Sequence, residues 1–217
     1  LNGAGIYNTE EGAMEITKAT VFNNAATSGG GIFNETDGFV SVVNTIIAGN
    51  SATVVSSDLM GVFSSNGNNL IGDQAGSTGF TNGVKSDQVN VSPGLGALQD
   101  NGGSTYTHEL LAGSLARDAG NNFYAPTGDQ RGFARLFDGD GNGSLIVDIG
   151  AFESGYIVTS FEDSVDAVPG DGVSVDSKGR STLRAAIIEA NARTGADTIL
   201  LGTGTYTLSL FGLSEDG

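Results

Sequence analysis

The chain has 217 residues, among them 35 Gly, 3 Pro and no Cys or Trp, and its 25 Asp plus Glu against 9 Lys plus Arg leave a formal charge of -16. So little base argues against a nucleic-acid partner, whose phosphates are met with Lys and Arg, and against docking on an anionic membrane surface. No apolar run approaches the roughly 18 residues of a membrane-spanning helix, so no membrane insertion is expected, and without Cys there are no disulfides or thiolate metal sites. Val, Ile, Leu and Phe recur throughout, which marks a folded chain, and the Gly-rich, Asn-rich, acidic and cysteine-free composition reads as β-rich and extracellular. Leu1 is not a starting methionine, and the sequence reads as an excerpt from a longer protein.

From the N-terminus the chain repeats itself. Gly3-Ala4-Gly5-Ile6-Tyr7-Asn8 returns as Gly29-Gly30-Gly31-Ile32-Phe33-Asn34, with Ile6 and Ile32 spaced 26 residues apart. The same offset carries Met14 to Val40, Ile16 to Val42, Thr20 to Ile46, Val21 to Ile47 and Asn24 to Asn50. Apolar residues two apart follow a strand period, and Asn, Gly, Thr and Ser between them form turns. Short strands at a period in the twenties describe the coil of a parallel β-helix, an all-β solenoid. Stacking then sets Asn8 over Asn34 and Asn24 over Asn50 as amide ladders at the corners. The alternative is a β-sandwich with Gly-rich hairpins, which does not require equal spacing.

Past Asn50 the period loosens. Val62-Phe63 and Asn69-Leu70-Ile71-Gly72 suggest a third, irregular coil, which closes a coil unit over residues 1–72. Residues 73–153 are loop-rich, and Leu95, Leu98, Leu110, Leu111, Leu145, Ile146 and Val147 predict brief strands along the outside of the coils or across their end. In this part Asp138, Asp140 and Asn142 alternate with Gly before Ser144, and Asp148 follows. Oxygen ligands on alternate residues around a Gly at the sixth place are how a loop wraps a hard cation, so a structural Ca2+ is expected there. The late acid stands at the eleventh place and no helices flank the loop, which argues against an EF-hand; the alternative is a solvated acidic turn. Arg131 and Arg135 are expected to pair with Asp118, Asp129, Asp148 or Glu153 and so fix the extended segment. His108, the single histidine, has no nucleophile motif beside it and reads as a packed residue.

A composition shift near Ser154-Gly155 opens the last part, residues 154–217. Tyr156 to Ser160 predicts a strand, and Ser181 is placed to N-cap a helix over 182–193, with Leu183, Ala186, Ile187 and Ala190 as its apolar stripe. Thr198 to Leu201 and Thr205 to Leu210 read as strands. An amphipathic helix ahead of new strands is a capping or junction device for a solenoid, since it covers apolar interior and blunts strand edges.

Residues 69–153 carry an ordered series: Asn69-Leu70-Ile71-Gly72, Gly96-Ala97-Leu98-Gln99-Asp100-Asn101-Gly102-Gly103, Asp118-Ala119-Gly120-Asn121, Asp129-Gln130-Arg131-Gly132-Phe133 and Asp148-Ile149-Gly150-Ala151-Phe152-Glu153. It resembles the choice-of-anchor Q family of bacterial surface or secreted proteins, and the resemblance implies a right-handed parallel β-helix. Residues 156–210, with Ser181-Thr182-Leu183-Arg184-Ala185-Ala186-Ile187 and Gly204-Thr205-Tyr206, resemble the CSLREA-type region that begins such solenoids, where the family has Cys at the position of Ser181 and another near Ser174. Serine at both implies that a disulfide pair was lost together and that other contacts hold the loop. An end-of-solenoid region preceding a start-of-solenoid region suggests a tandem array with Thr205 to Leu210 stacking below Ile6, or else a junction between two solenoids.

The functional expectation is a non-catalytic structural unit of a secreted or surface bacterial protein, building a rod, stalk or filament. Its partners are then copies of itself end to end, with surface polysaccharide as a further candidate. An adhesin or a carbohydrate-binding or -cleaving domain is the competing reading, for which the sequence offers no identifiable catalytic residues.

Overall fold

The computed structural model describes residues 2–111, 113–133, 135, 144–170, 173–192 and 197–210. They are mostly β, in several parallel sheets, with one α-helix among the described residues. The sequence repeat reappears as strand register. A first circuit of chain lays down β1 (Ile6–Asn8), β2 (Ala13–Thr17), β3 (Thr20–Phe22) and β4 (Ala25–Ser28). A second sets β5 (Ile32–Asn34), β6 (Phe39–Val43), β7 (Ile46–Ala48) and β8 (Ser51–Val55) parallel beside them. Ile6 pairs with Ile32, Met14 with Val40, Thr20 with Ile46 and Ala25 with Ser51, all at the one offset of 26.

A third, shorter circuit adds β9 (Leu59–Val62), β10 (Ser64–Gly67) and β11 (Leu70–Ile71), and β12 (Ser77–Thr78) and β13 (Gln88–Val89) close two of the sheets. Three sheets result, in strand orders β1-β5-β9-β12, β2-β6-β10 and β3-β7-β11-β13. Their inward side chains form one core that includes Ile16, Val21, Ile32, Val42, Ile47, Leu59 and Ile71. Burying each such side chain contributes about 1.5–3 kcal/mol, which a single circuit, open above and below, does not realise. Gly30 and Gly31 have no side chain because the next circuit already occupies the space. A Cβ on Gly30 would stand 2.2 Å from Ser51 O, and one on Gly31 2.5 Å from Asp58 O.

The turn from second to third sheet uses one left-handed residue per circuit: Lys18 (φ 52), Asn44 (φ 50) and Asn68 (φ 54). Asn tolerates this conformation because its short amide bonds locally; Lys has no such compensation.

The third sheet is buried on both faces, which is why β7 reads Ile-Ile-Ala without alternation. Its outer face, through Ile46, Ala48 and Leu70, packs on Leu110, Ala116, Ile149 and Phe152 of the distal segment. That segment therefore runs along the outside of the sheet, held by an antiparallel pair of β14 (Leu95–Gln99) and β15 (Thr107–Leu110). Leu145 to Val147 lies in no strand; Val147 is buried and Leu145 exposed. This stretch is held by Asn122, whose Nδ2 donates to Leu145 O and whose Oδ1 accepts from Val147 N.

In the last part, β16 (Tyr156–Val158) pairs in parallel with β17 (Ile199–Leu201), and α1 (Leu183–Ala192) covers them. Leu183, Ala186 and Ala190 pack on Tyr156 and Val158, while Ile187 is half-exposed. The cap differs from the expectation. Thr182, not Ser181, bonds the helix start, its Oγ1 accepting from Ala185 N at 3.1 Å. Ser181 instead accepts Thr159 N and Ser160 N on its carbonyl. Residues 202–210 belong to no strand, since a strand needs a ladder partner and none of the described residues supplies one.

Candidate functional site

A dense polar region lies where the distal segment meets the corner column of Lys18, Asn44 and Asn68. Asn44 grips the segment twice, its Nδ2 donating to Asn121 O at 3.0 Å and its Oδ1 accepting from Asn121 N at 2.7 Å. Asn68 Nδ2 donates to Ala119 O at 2.8 Å. Lys18 holds the equivalent place one circuit earlier. It is 7% exposed, and its Nζ has no hydrogen-bond partner among the described residues. Burial, then the like charge of Arg135, brings its ammonium down from the ordinary 10.5 to about 7, against the pull of Glu153 and Asp148.

Beside Lys18 the expected arginine pairs form a buried ionic knot. Arg131 donates from Nε (2.9 Å) and pairs from Nη2 (2.8 Å) with Asp129 Oδ2. Its Nη1 and Nη2 also donate to Asn101 O and Glu153 O, and its guanidinium lies 3.7 Å from the Phe152 ring centre. Asp129 Oδ1 accepts the backbone amides of Arg131 and Phe133. Arg135 donates to Glu153 Oε2 at 3.2 Å and to Gly150 O at 2.9 Å. These contacts tie three stretches of chain, near residues 101, 130 and 150, into one unit. Burial pushes both guanidinium groups below their usual range, and it raises Glu153 to about 7, helped by the charge of Asp148. A buried pair of this kind is weak evidence of net stabilisation, but losing one partner costs about 3–5 kcal/mol because the other is left uncompensated.

Of the residues expected to hold Ca2+, Asp138, Asp140 and Asn142 lie outside the described residues. Ser144 is exposed. Asp148 is enclosed, with Oδ1 accepting from Asp118 N at 2.8 Å and Oδ2 from Ser154 N at 2.5 Å. Burial still raises its pKa against these bonds. Among the described residues no group of three or more His, Cys, Asp or Glu gathers into a metal-binding cluster. His108 is packed, its Nδ1 2.8 Å from Gly96 O and its ring edge-on to Phe22.

The corner ladders are a polar feature of another kind. Asn24 donates from N and Nδ2 to Asn50 Oδ1, both at 2.9 Å, and Asn50 donates from N and Nδ2 to Asp58 Oδ1 at 2.8 and 2.9 Å. Asp58 only accepts, its Oδ2 taking Asp73 N at 2.7 Å, so the ladder ends there. Asp87 ends a second one through Asn69 N and Nδ2 and Ser65 Oγ. Asn8 over Asn34 forms a third, at 2.8 Å. The Asn pairs were legible from the 26-residue offset. The two terminating acids were not, because they fall off the period.

In the last part Arg184 meets Asp163 with Nε at 2.6 Å and Nη2 at 3.2 Å, which holds the Asp163 carboxyl well below the usual range. Ser174 Oγ stands 3.2 Å from Ser181 Oγ, so the two serines are neighbours in space. A cavity of about 290 Å3 opens between this part and the ionic knot, lined by Glu109, Arg117, Arg131, Tyr156, Ser174 and Asp197 among others. No helix among the described residues is long and apolar enough to cross a membrane.

Compared with known proteins, the chain matches no family model, no curated protein and no solved structure. The family resemblance therefore rests on the sequence motifs alone.

Proposed function

We propose that this chain is a non-catalytic structural unit of a large secreted or surface bacterial solenoid protein, folded as a right-handed parallel β-helix and contributing to a rod, stalk or filament. The observation that carries the reading is the shared register. Three parallel sheets advance together by 26 residues between the first two circuits, with amide ladders at their corners. Such a stack resists bending and extension, because load is borne by many backbone hydrogen bonds and a continuous apolar core. Its charge of -16 keeps rods soluble and apart. The ionic knot supports the same reading, since each of its described carboxylates is engaged in holding chain to chain.

Electron microscopy of the native protein tests this reading. Stiff rods with a regular axial repeat are expected; globular particles with no elongated species would overturn it. The cavity beside Arg131, Glu109 and Asp197 favours one second reading, carbohydrate binding. Saturable retention of a neutral glycan, lost in Glu109→Gln with an unchanged melting curve, would support it.

A further inference from the structure

One side of the stack ends earlier than the others. Between Phe22 and Ile32 the first circuit lays down β4, and between Ala48 and Leu59 the second lays β8 parallel to it. The third circuit runs from Ile71 to Ser77 without a strand, so β4 and β8 form a sheet of two, whereas the sheets on either side hold four. The turn that replaces the strand cuts inside the corner. A Cβ on Gly72 would stand 2.8 Å from Ala48 Cβ and 2.6 Å from Asp58 Oδ2, and one on Gly76 would overlap Ser56 Oγ. β8 is thus bypassed in mid-chain and pairs with β4 alone among the described residues. Elsewhere at this end the chain covers itself, with Phe80 buried beside Phe63 and Lys85 Nζ donating to Ser65 O at 2.6 Å.

Exposed edges are ordinarily guarded by Lys, Pro or other charged residues. Gly38 to Ser57 carries neither a charged residue nor Pro, in a chain of charge -16. Its one guard is a bulge between Ala52 and Val55, where Thr53 and Val54 stand opposite Thr27. The bulge breaks the alternation of faces, so Thr53, Val54 and Val55 are all exposed, Val54 at 69%. Ser51 N and Val55 O already bond the circuit before them, at Asn24 O and Gly29 N. Alternate residues of a parallel ladder face opposite neighbours, which turns the amide and carbonyl of Ala52 to the open side.

We propose that β8 is a docking edge for an extended peptide segment of another protein, small and β-branched at its centre and basic at its ends. This goes beyond the structural-unit reading and does not rest on it. A row of backbone donors and acceptors selects a strand. The layer beneath shows which side chains stack there, Ala25 beside Ser51 and Ala26 beside Ala52, so the centre of the segment is small and uncharged. The net charge of -16 repels acidic flanks and draws basic ones. A second copy of this chain fits less well. The third-circuit strands β9 and β11 rise past β8 on both sides and would meet their counterparts first, and two chains of charge -16 repel.

Fluorescence anisotropy with the whole protein tests this. The probe is labelled Lys-Ser-Ala-Thr-Val-Val-Ser-Lys, which copies residues 51–56 between two lysines. Saturable binding is expected. N-methylation of the alternate amides that face β8 should weaken it about tenfold or more, the loss of one or two net hydrogen bonds. Methylating the other alternate set, which faces away, keeps the same charge and side chains and should leave binding within about threefold. Val54→Lys, at an exposed position, should also weaken binding about tenfold while the melting temperature stays unchanged. No binding, equal loss from both methylated sets, or undiminished binding to Val54→Lys overturns the inference. So does a concentration-dependent dimer of the protein alone that Val54→Lys dissociates, since the edge would then belong to a second copy.

Discussion

Lys18 is the clearest internal conflict in the fold, and Lys18→Met measures it. The side chain occupies a left-handed corner where the next two circuits carry Asn, and its ammonium is enclosed without a hydrogen-bond partner among the described residues. Lys and Met share the same Cβ and similar length, so backbone strain and packing nearly cancel and the charge is what changes. The gap from the ordinary 10.5 to about 7, at ~1.36 kcal/mol per pH unit, caps the cost of holding the ammonium at about 5 kcal/mol. Glu153 loses an attractive cation in the variant, and water reaching the corner screens the rest, so a gain of about 2–4 kcal/mol is expected at pH 6. The sign follows from a base whose folded pKa is depressed. Wild type suffers no penalty above pH 10.5, loses stability as pH falls toward 7, and carries the full penalty below that. Glu153, with a raised pKa near 7, acts in the opposite direction, its contribution being lost as pH rises through 7. It differs between variant and wild type only through the lost Lys18 charge, for which the expected gain is already reduced. Urea unfolding of both proteins, followed by far-UV circular dichroism from pH 6 to 10.5, gives that difference. It should shrink to within ~0.5 kcal/mol of zero at the alkaline end, at no more than ~1.4 kcal/mol per pH unit. A pH-independent difference, or a variant less stable than wild type at pH 6, would mean that Nζ has a partner and that the argument is wrong.

Three further outcomes follow from the contacts. Gly30→Ala forces a Cβ against Ser51 O and Ser57 O and should cost at least about 2 kcal/mol. Gly128→Ala, whose nearest neighbours stand 3.5 Å away, should stay within about 0.5 kcal/mol of wild type, and the pair of urea midpoints checks the contrast. Arg131→Lys replaces a fork bound to Asp129 and two carbonyls by a single ammonium and should lower stability by about 3 kcal/mol, read from the same titration. Ser174→Cys/Ser181→Cys should form an intramolecular disulfide in air, detected by loss of free thiol, and stabilise the loop by about 2 kcal/mol, because the two Oγ atoms already approach to 3.2 Å.

Legibility differed by region. The first two circuits were readable because stacking demands that equivalent residues recur, and Ile6/Ile32, Met14/Val40 and Asn24/Asn50 recur at the offset that pairs them. The enclosure of Lys18 left a faint trace, its position one period before Asn44. The double burial of the third sheet left a stronger one, the unbroken Ile46-Ile47-Ala48. Thr182 and Ser181 are equally able to cap a helix, and only the pull of Thr159 and Ser160 on the Ser181 carbonyl decides between them. Ile187 matched the helical period and still faces outward in part, because Arg184 and Glu189 take buried places through Asp163 and Gly170 N.

By itself, then, the sequence determined the circuit, the strand register, the corner ladders and the pairing of two arginines with nearby acids. All of these are set by residue type at fixed spacing, where one circuit templates the next. The tertiary structure decided where the distal segment lies, which acid meets which arginine, that Asp58 and Asp87 terminate the ladders, and that Ser174 and Ser181 are neighbours. Those contacts join residues of no common period, so their geometry exists only once the sheets have provided a surface to fold against.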